Sequence, residues 1–306
     1  MVLNPVVFTG ITSAFFLGLP SLLSRFQGSL LGRSWFLAQR DNSVANPQQQ
    51  ALDRRNLYRT DLYRRVEQAV LQSQGDVQGI VHNLAQDIPM VMRASPGASL
   101  DDLLLALVPL ILYGHETPKR LRSQLQALSQ AWPDPWGWVL QGWAAIISQL
   151  LLSQGVLSLG QIRTWAEAIG HPEICEGLNR GQSLTQLRAQ VKAQPCPALT
   201  IALYCFGTTP DAPTLTLARA QQYSPAAEAL ALTLSGAYRG WADLPERISR
   251  PDDPTVLTGL TFAQQLWQHW LGVYLPPAHA SPLEAFGAAQ TLQPRSGQVL
   301  ISLVDP

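Results

Sequence analysis

This chain of 306 residues is 46% hydrophobic and only 14% charged, a balance that excludes extensive disorder and indicates a folded protein. Its 21 basic and 21 acidic side chains give a formal net charge of zero, so the protein has no basic field to attract nucleic acid. The three cysteines (Cys175, Cys196, Cys205) match neither a CxxC nor a zinc-finger spacing, which argues against a disulfide framework or structural zinc and favours a reducing, cytoplasmic location.

Residues 6–23 read VVFTGITSAFFLGLPSLL and contain no charged side chain. This length reaches the lower limit for a membrane-spanning helix. However, Gly10, Gly18 and Pro20 interrupt the stretch, and no basic residue precedes it as in a secretory signal. Membrane contact through residues 6–23 is therefore disfavoured, and residues 1–23 are interpreted as an apolar N-terminal extension.

From residue 24 to residue 275 the hydrophobic pattern is helical almost throughout. Capping serines mark several helix starts, such as Ser224 before Pro225. A strand is predicted only at 299–304, inside a C-terminal extension (276–306) whose first part is rich in proline and alanine. These patterns predict one all-α domain over 24–275. The predicted helices span roughly 21–39, 51–73, 76–93, 99–114, 117–131, 136–153, 158–168, 183–193, 198–206, 212–222, 225–239 and 257–274.

Sequence motifs for common catalytic sites are absent. The chain contains no P-loop, no GxGxxG after a strand, no HExxH and no GxSxG. The histidines have no ligand spacing and are interpreted as surface or core residues. The acidic pair Asp101-Asp102 follows Ser99 at a helix start, which favours N-terminal capping over metal binding.

Four tryptophans lie close together around prolines. With few basic residues nearby they do not resemble a base-stacking platform. We interpret them as core, with an exposed contact surface as the alternative. They are Trp132, Trp136, Trp138 and Trp143.

Two stretches resemble the ADP-ribosylglycohydrolase family. Residues 24–32 read SRFQGSLLG, similar to the Arg-x-x-Gly-small-Leu-Leu-Gly opening of that family. Residues 195–248 resemble its small-and-apolar helix and its closing helix, with Gly236, Ala237 and Gly240 as the small residues. The resemblance implies an all-α, single orthogonal multi-helix domain of the ADP-ribosylglycohydrolase type.

The glycines of the first stretch also have a packing reason. Gly28 and Gly32 are four residues apart, so they lie on one face of a helix. Because glycine has no side chain, this face lets another helix approach closely.

The resemblance implies a binuclear magnesium site in active relatives, built from a Thr-Asp-Asp-Thr and an Asp-x-Asp-Thr cluster. The first cluster matches Thr60 and Asp61, but Leu62 and Tyr63 replace its next aspartate and threonine. Since Mg²⁺ needs several oxygen ligands in near-octahedral geometry, one aspartate cannot hold two ions. We favour the interpretation of Thr60-Asp61 as a solvated helix turn.

The second cluster should lie just before the closing helix. Counting back from Gly236 places it at Tyr223, Ser224, Pro225 and Ala226, where no aspartate remains. The residues that carry the fold are kept while those that carry the chemistry are missing, and function depends on the site. No catalytic residue, metal or cofactor is therefore predicted.

Three hypotheses follow for the function. The leading one is a catalytically inactive ADP-ribosylglycohydrolase-like protein that acts as a protein-binding or scaffold module, with a protein partner and no nucleic acid. The second is a metal-free binder of ADP-ribose or a related nucleotide. The third is an active hydrolase with displaced ligands, for which the candidates are Asp101, Asp102, Asp252 and Asp253.

Overall fold

The computed structural model describes residues 20–41, 49–72, 80, 82–85, 99–129, 136–153, 156–249 and 254–271. These residues form helices and turns and contain no strand, so the predicted all-α fold class is confirmed. No helix in these ranges is long and apolar enough to cross a membrane. The principal helices are α1 (Leu22–Asp41), α2 (Gln49–Gln72), α3 (Leu100–Ala106), α4 (Val108–Gly114), α5 (Pro118–Ser129), α6 (Trp136–Leu152), α7 (Leu159–Ala168), α8 (Pro172–Arg180), α9 (Leu184–Val191), α10 (Pro197–Thr208), α11 (Pro213–Gln221), α12 (Pro225–Arg239), α13 (Glu246–Ser249) and α14 (Pro254–Leu271).

The structure departs from the predicted helices in three places. The helix expected over 99–114 is two helices separated at Leu107, because Pro109 has no N–H to continue the hydrogen-bond ladder. Helices α8 and α13 were not predicted. Of the helix predicted over 76–93 only residues 80 and 82–85 are described, and they are helical. The predicted strand at 299–304 and the extension 276–306 lie outside the described residues.

Helix α12 lies at the centre of the molecule. Every residue from Ala227 to Tyr238 is buried, and the helix packs on α1, α10 and α11. Its crossing with α1 is very close: a Cβ at Gly236 would lie 2.1 Å from the carbonyl carbon of Gly28. On the next turn a Cβ at Gly32 would lie 2.4 Å from Oγ1 of Thr233. The prediction that Gly28 and Gly32 admit a second helix is confirmed.

A buried arginine joins α1 to the end of α6. Nη1 of Arg25 donates to the carbonyl oxygens of Leu150, Leu151 and Ser153, at 2.9, 2.9 and 2.7 Å. The last carbonyls of a helix have no partner within it, and a cation there also interacts favourably with the helix dipole. Arg25 therefore caps α6 from another helix and fixes the position of α1.

Candidate functional site

The first stretch that resembles the magnesium cluster lies on a surface turn of α2. Thr60 is exposed, and the half-exposed Asp61 accepts a 2.8 Å ion-pair hydrogen bond from Arg65, one turn later. Leu62 points into the hydrophobic core. The Asp61 carboxylate is thus engaged in an ordinary surface pair, which matches the interpretation of a solvated helix turn.

The second stretch forms the beginning of α12. Oγ of Ser224 accepts a 3.1 Å hydrogen bond from the backbone N–H of Ala227, and Pro225 is the first helical residue. The predicted cap is therefore confirmed. The ring of Tyr223 faces the guanidinium of Arg188, whose Cζ lies 5.6 Å from the ring centre. Each of these residues has a structural contact that needs no metal.

The helices that carry the two stretches have mostly different neighbours, although both contact α3. Helix α2 packs mainly on α3, α4 and α14, whereas α12 packs mainly on α1, α10 and α11. Within the described ranges no group of three or more His, Cys, Asp or Glu side chains could hold a metal ion.

The acidic pair at the start of α3 divides into two roles. Asp102 forms a capping box: its carboxylate accepts from the backbone N–H of Ser99 at 3.0 Å, while Oγ of Ser99 accepts from the backbone N–H of Asp102. This confirms the capping interpretation. Asp101 is only 8% exposed, and its Oδ1 has no hydrogen-bond partner. Of the displaced-ligand candidates, Asp252 and Asp253 lie outside the described residues.

Asp101 has an unusual electrostatic environment. Burial, with a further contribution from Asp102, raises the pKa of Asp101 to about 7, and a hydrogen bond from the backbone N–H of Leu199 opposes the rise. Burial and then the Asp101 charge also raise the pKa values of Cys196 and Tyr223. The structure thus brings Asp101 close to the second degenerate stretch, a proximity that the sequence did not reveal.

A cavity of about 360 Å³ lies between α1, α2 and α14. Arg33 from α1 forms its inner wall with only 3% of its side chain exposed. Its Nη1 makes a 2.6 Å ion pair with Oε1 of Glu67, and its Nη2 donates to the carbonyl oxygen of Tyr63 at 3.0 Å. The cavity is lined by Arg33, Ser34, Leu37, Thr60, Tyr63, Arg64, Glu67, Thr258, Gly259 and Phe262.

Two aromatic rings hold the Arg33 guanidinium in place. Its Cζ lies 4.7 Å from the ring centre of Tyr63 and 5.5 Å from that of Phe262, both within cation–π range. Burial lowers the pKa of Arg33, and Glu67 opposes this effect. Sequence analysis did not find this site, although Thr60 lies on its edge.

The cysteines and tryptophans are mainly structural. Cys196 and Cys205 are buried, and burial raises the pKa of Cys205 to about 11, so this thiol stays protonated at neutral pH. Trp143 is buried and donates its Nε1–H to the carbonyl oxygen of Leu104 at 3.1 Å. Trp138 is partly exposed. The tryptophans therefore divide between core and surface, while Trp132 lies outside the described residues.

Two histidines are fully buried in the part of the chain that the structure describes, and both have hydrogen-bond partners. Nδ1 of His115 lies 2.7 Å from the carbonyl oxygen of Leu112. Nδ1 of His171 lies 2.8 Å from Oε1 of Glu173 and 3.1 Å from Oγ1 of Thr200. Both match the interpretation of core histidines.

Three large apolar side chains are exposed where α6 is followed by α7. Leu152 ends α6, Val156 lies between the helices and Leu159 begins α7. Val156 is 84% exposed, and the two leucines are each more than half exposed. We call these three residues the junction patch. Single exposed apolar residues are ordinary, but a group of them is typical of contact surfaces.

No family model, curated protein or solved structure matches this chain. The likeness to ADP-ribosylglycohydrolases therefore rests on the residues quoted from the sequence, at 24–32 and 195–248, and stays a prediction.

Proposed function

We propose that this protein is a catalytically inactive, ADP-ribosylglycohydrolase-like helical domain that acts as a protein-binding or scaffold module. One observation carries the proposal: the positions that resemble the magnesium ligands are occupied by residues of two ordinary helix turns. Leu62 is in the core, and Ser224 caps α12. The resemblance itself is part of the proposal.

The local chemistry argues against hydrolysis at these positions. A binuclear magnesium centre requires a set of oxygen ligands that hold the ions against their hydration and orient water. Asp61 is the one carboxylate at the positions matched to the magnesium ligands, residues 60–63 and 223–226, and it is paired with Arg65. Because the side chain of Leu62 is a hydrocarbon, neither a change of rotamer nor a change of pH could make it a metal ligand.

The junction patch supports a role in binding. Other large apolar side chains are exposed singly, but the junction patch exposes three between residues 152 and 159 and so offers apolar area to a partner surface. Its partner is expected to present a complementary apolar face. We therefore place the first contact surface at the end of α6 and the start of α7.

Calorimetric titration with ADP-ribose, with and without Mg²⁺, tests the inactive site. We expect no heat of binding that depends on Mg²⁺ and no release of free ADP-ribose from ADP-ribosylated protein. Binding that requires Mg²⁺, together with turnover, would show that the metal ligands lie at other positions in the chain. It would then favour the hydrolase hypothesis.

Partner capture tests the binding role. Val156→Glu places a charge on the junction patch, and we expect it to lose a partner that cross-links to the wild-type protein. Gln190→Glu, at an exposed position on α9, is the matched control and should retain that partner. Equal capture by both variants would contradict this choice of surface.

The cavity beside Arg33 favours the metal-free nucleotide binder as a second candidate. Arg64 supplies a cationic donor of the kind that a phosphate group requires, beside an Arg33 that is paired with Glu67, and Thr60 lies at the same cavity. However, about 360 Å³ is near the lower end of ligand-site volumes, which is small for ADP-ribose. In the titration this candidate predicts binding that is equal with and without Mg²⁺.

A further inference from the structure

The cavity between α1, α2 and α14 contains one positive charge that no described neighbour neutralises. The buried Arg33 is neutralised by Glu67 at 2.6 Å. Arg64, on the same wall, is exposed, and among the described residues it has no ion-pair or hydrogen-bond partner. The cavity therefore carries a net single positive charge, which complements one negative charge on a ligand.

The rest of the lining is largely apolar and already held in position. Leu37 and the rings of Tyr63 and Phe262 form the walls, and both rings contact the guanidinium of Arg33. A preorganised apolar wall reduces the entropy that a ligand loses on binding. An aromatic ligand suits this wall because aromatic rings attract one another in offset-stacked or edge-to-face contacts.

The inner wall also contains an unsatisfied donor. Nε of Arg33 is buried and has no hydrogen-bond acceptor, although Nη1 and Nη2 are both bonded. Native proteins rarely leave a buried donor without a partner. Because this Nε is itself buried, a ligand does not reach it directly, and the charged contact is assigned to the exposed Arg64.

We propose that this cavity binds a small aromatic carboxylate, with Arg64 pairing its carboxylate and the rings of Tyr63 and Phe262 contacting its aromatic body. A monoanion is favoured over a phosphate dianion because Glu67 lies in the same wall and repels a second negative charge. This binding activity goes beyond the proposed scaffold role and does not depend on it.

The proposal is tested by titrating the full chain with benzoate, using NMR line broadening or calorimetry. We expect saturable binding with a Kd of about 1 mM or tighter, given the small size of the ligand. Benzamide removes the charge, acetate removes the aromatic body, and phenyl phosphate adds charge near neutral pH. Each should bind about tenfold more weakly than benzoate, because benzamide loses the ion pair, acetate loses the ring contacts and phenyl phosphate adds repulsion from Glu67.

Two variants locate the binding in this cavity. Arg64→Gln removes the free cation, and Thr258→Phe fills the exposed edge of the cavity from α14. Each should weaken benzoate binding at least about tenfold. The matched controls are Arg122→Gln on α5 and Gln264→Phe on α14, both at exposed positions that do not line the cavity, and both should bind as the wild type does.

Two outcomes overturn the proposal. One is the absence of saturable benzoate binding by the wild-type chain. The other is equal binding by Arg64→Gln, Thr258→Phe and the controls, once circular dichroism shows that all are folded. Because capture by the junction patch is measured with Val156→Glu, loss of the scaffold role and failure of this cavity are separate results.

Discussion

The Asp101 carboxyl group lies where its charged form is unfavourable. It is buried beside Asp102, and its pKa is raised to about 7 from an ordinary value of 3.8. A carboxyl whose pKa is higher in the folded state binds more protons when folded. Its contribution to stability is therefore fully present below about pH 4 and is lost as the pH rises through about 7.

The Asp101→Asn variant should not show this loss of stability with rising pH. Between about pH 4 and 7 the wild-type protein should lose roughly 1.4 kcal/mol of stability per pH unit from this group, while the variant should not. We expect the stability of Asp101→Asn relative to the wild type to be greater at pH 8.5 than at pH 5. Urea unfolding at both pH values measures it, and a constant difference between the two would contradict the assignment.

Asp61, in contrast to the buried Asp101, has an exposed carboxylate. Its side chain is half exposed, and its partner Arg65 is also exposed. Exposed i,i+4 pairs contribute about 0.3–0.5 kcal/mol, so Asp61→Asn should change the free energy of unfolding by no more than that. It should also leave partner capture unchanged. A large loss of function with normal folding would show that this position is part of a working site.

The crossing of α1 and α12 leaves no space for a larger side chain between these two helices. A Cβ at Gly236 would lie 2.1 and 2.2 Å from the carbonyl carbon and oxygen of Gly28, both of them backbone atoms. Neither atom can move without displacing α1, so the two helices must separate. Since α1 also holds Arg25 against the end of α6, that separation disturbs a second interface.

Gly236→Leu should therefore destabilise the fold by about 3 kcal/mol or more, at or above the usual range for overpacking. Chemical denaturation measures the loss. Gly160→Ala is a suitable control because its nearest neighbour, Oγ of Ser158, lies at an ordinary 3.7 Å. That exchange should be neutral or slightly stabilising, since alanine favours a helix over glycine.

Elements were predictable where local chemistry defines them. Ser224-Pro225 indicated the start of α12, and the Gly28/Gly32 spacing indicated a close helix partner. Helix α8 was missed although Pro172 opens it and Gly181, at φ 59°, closes it in the left-handed conformation. With only nine residues this helix is shorter than the length at which a hydrophobic pattern identifies a helix, and its end signals were the better guide.

The cavity could not be predicted because it depends on how three helices cross. Arg33 and Tyr63 are 30 residues apart and belong to different helices, and Phe262 belongs to a third. The sequence contains no local signal that pairs them. The same is true of Asp101 and Tyr223, whose proximity depends on the position of α3 relative to α12.

At the scale of the whole molecule, the inactive-site proposal makes a prediction about stability. A metal that binds only the folded state raises its stability in proportion to the logarithm of concentration over Kd. We expect millimolar Mg²⁺ to leave the thermal midpoint unchanged, with NaCl of equal ionic strength as the control. An increase specific to Mg²⁺, with or without ADP-ribose, would contradict the inactive-site proposal.

The contact between α1 and α12 also has a consequence during synthesis. The backbone N–H of Trp241 hydrogen-bonds Ser24, 217 residues earlier in the chain. At translation rates of about 5–20 residues per second, the ribosome needs roughly 10–40 s to supply the second helix after the first. During that time the face of α1 that carries Gly28 and Gly32 has no native partner. We therefore expect the nascent chain to depend on chaperones that cover apolar helices until α12 emerges.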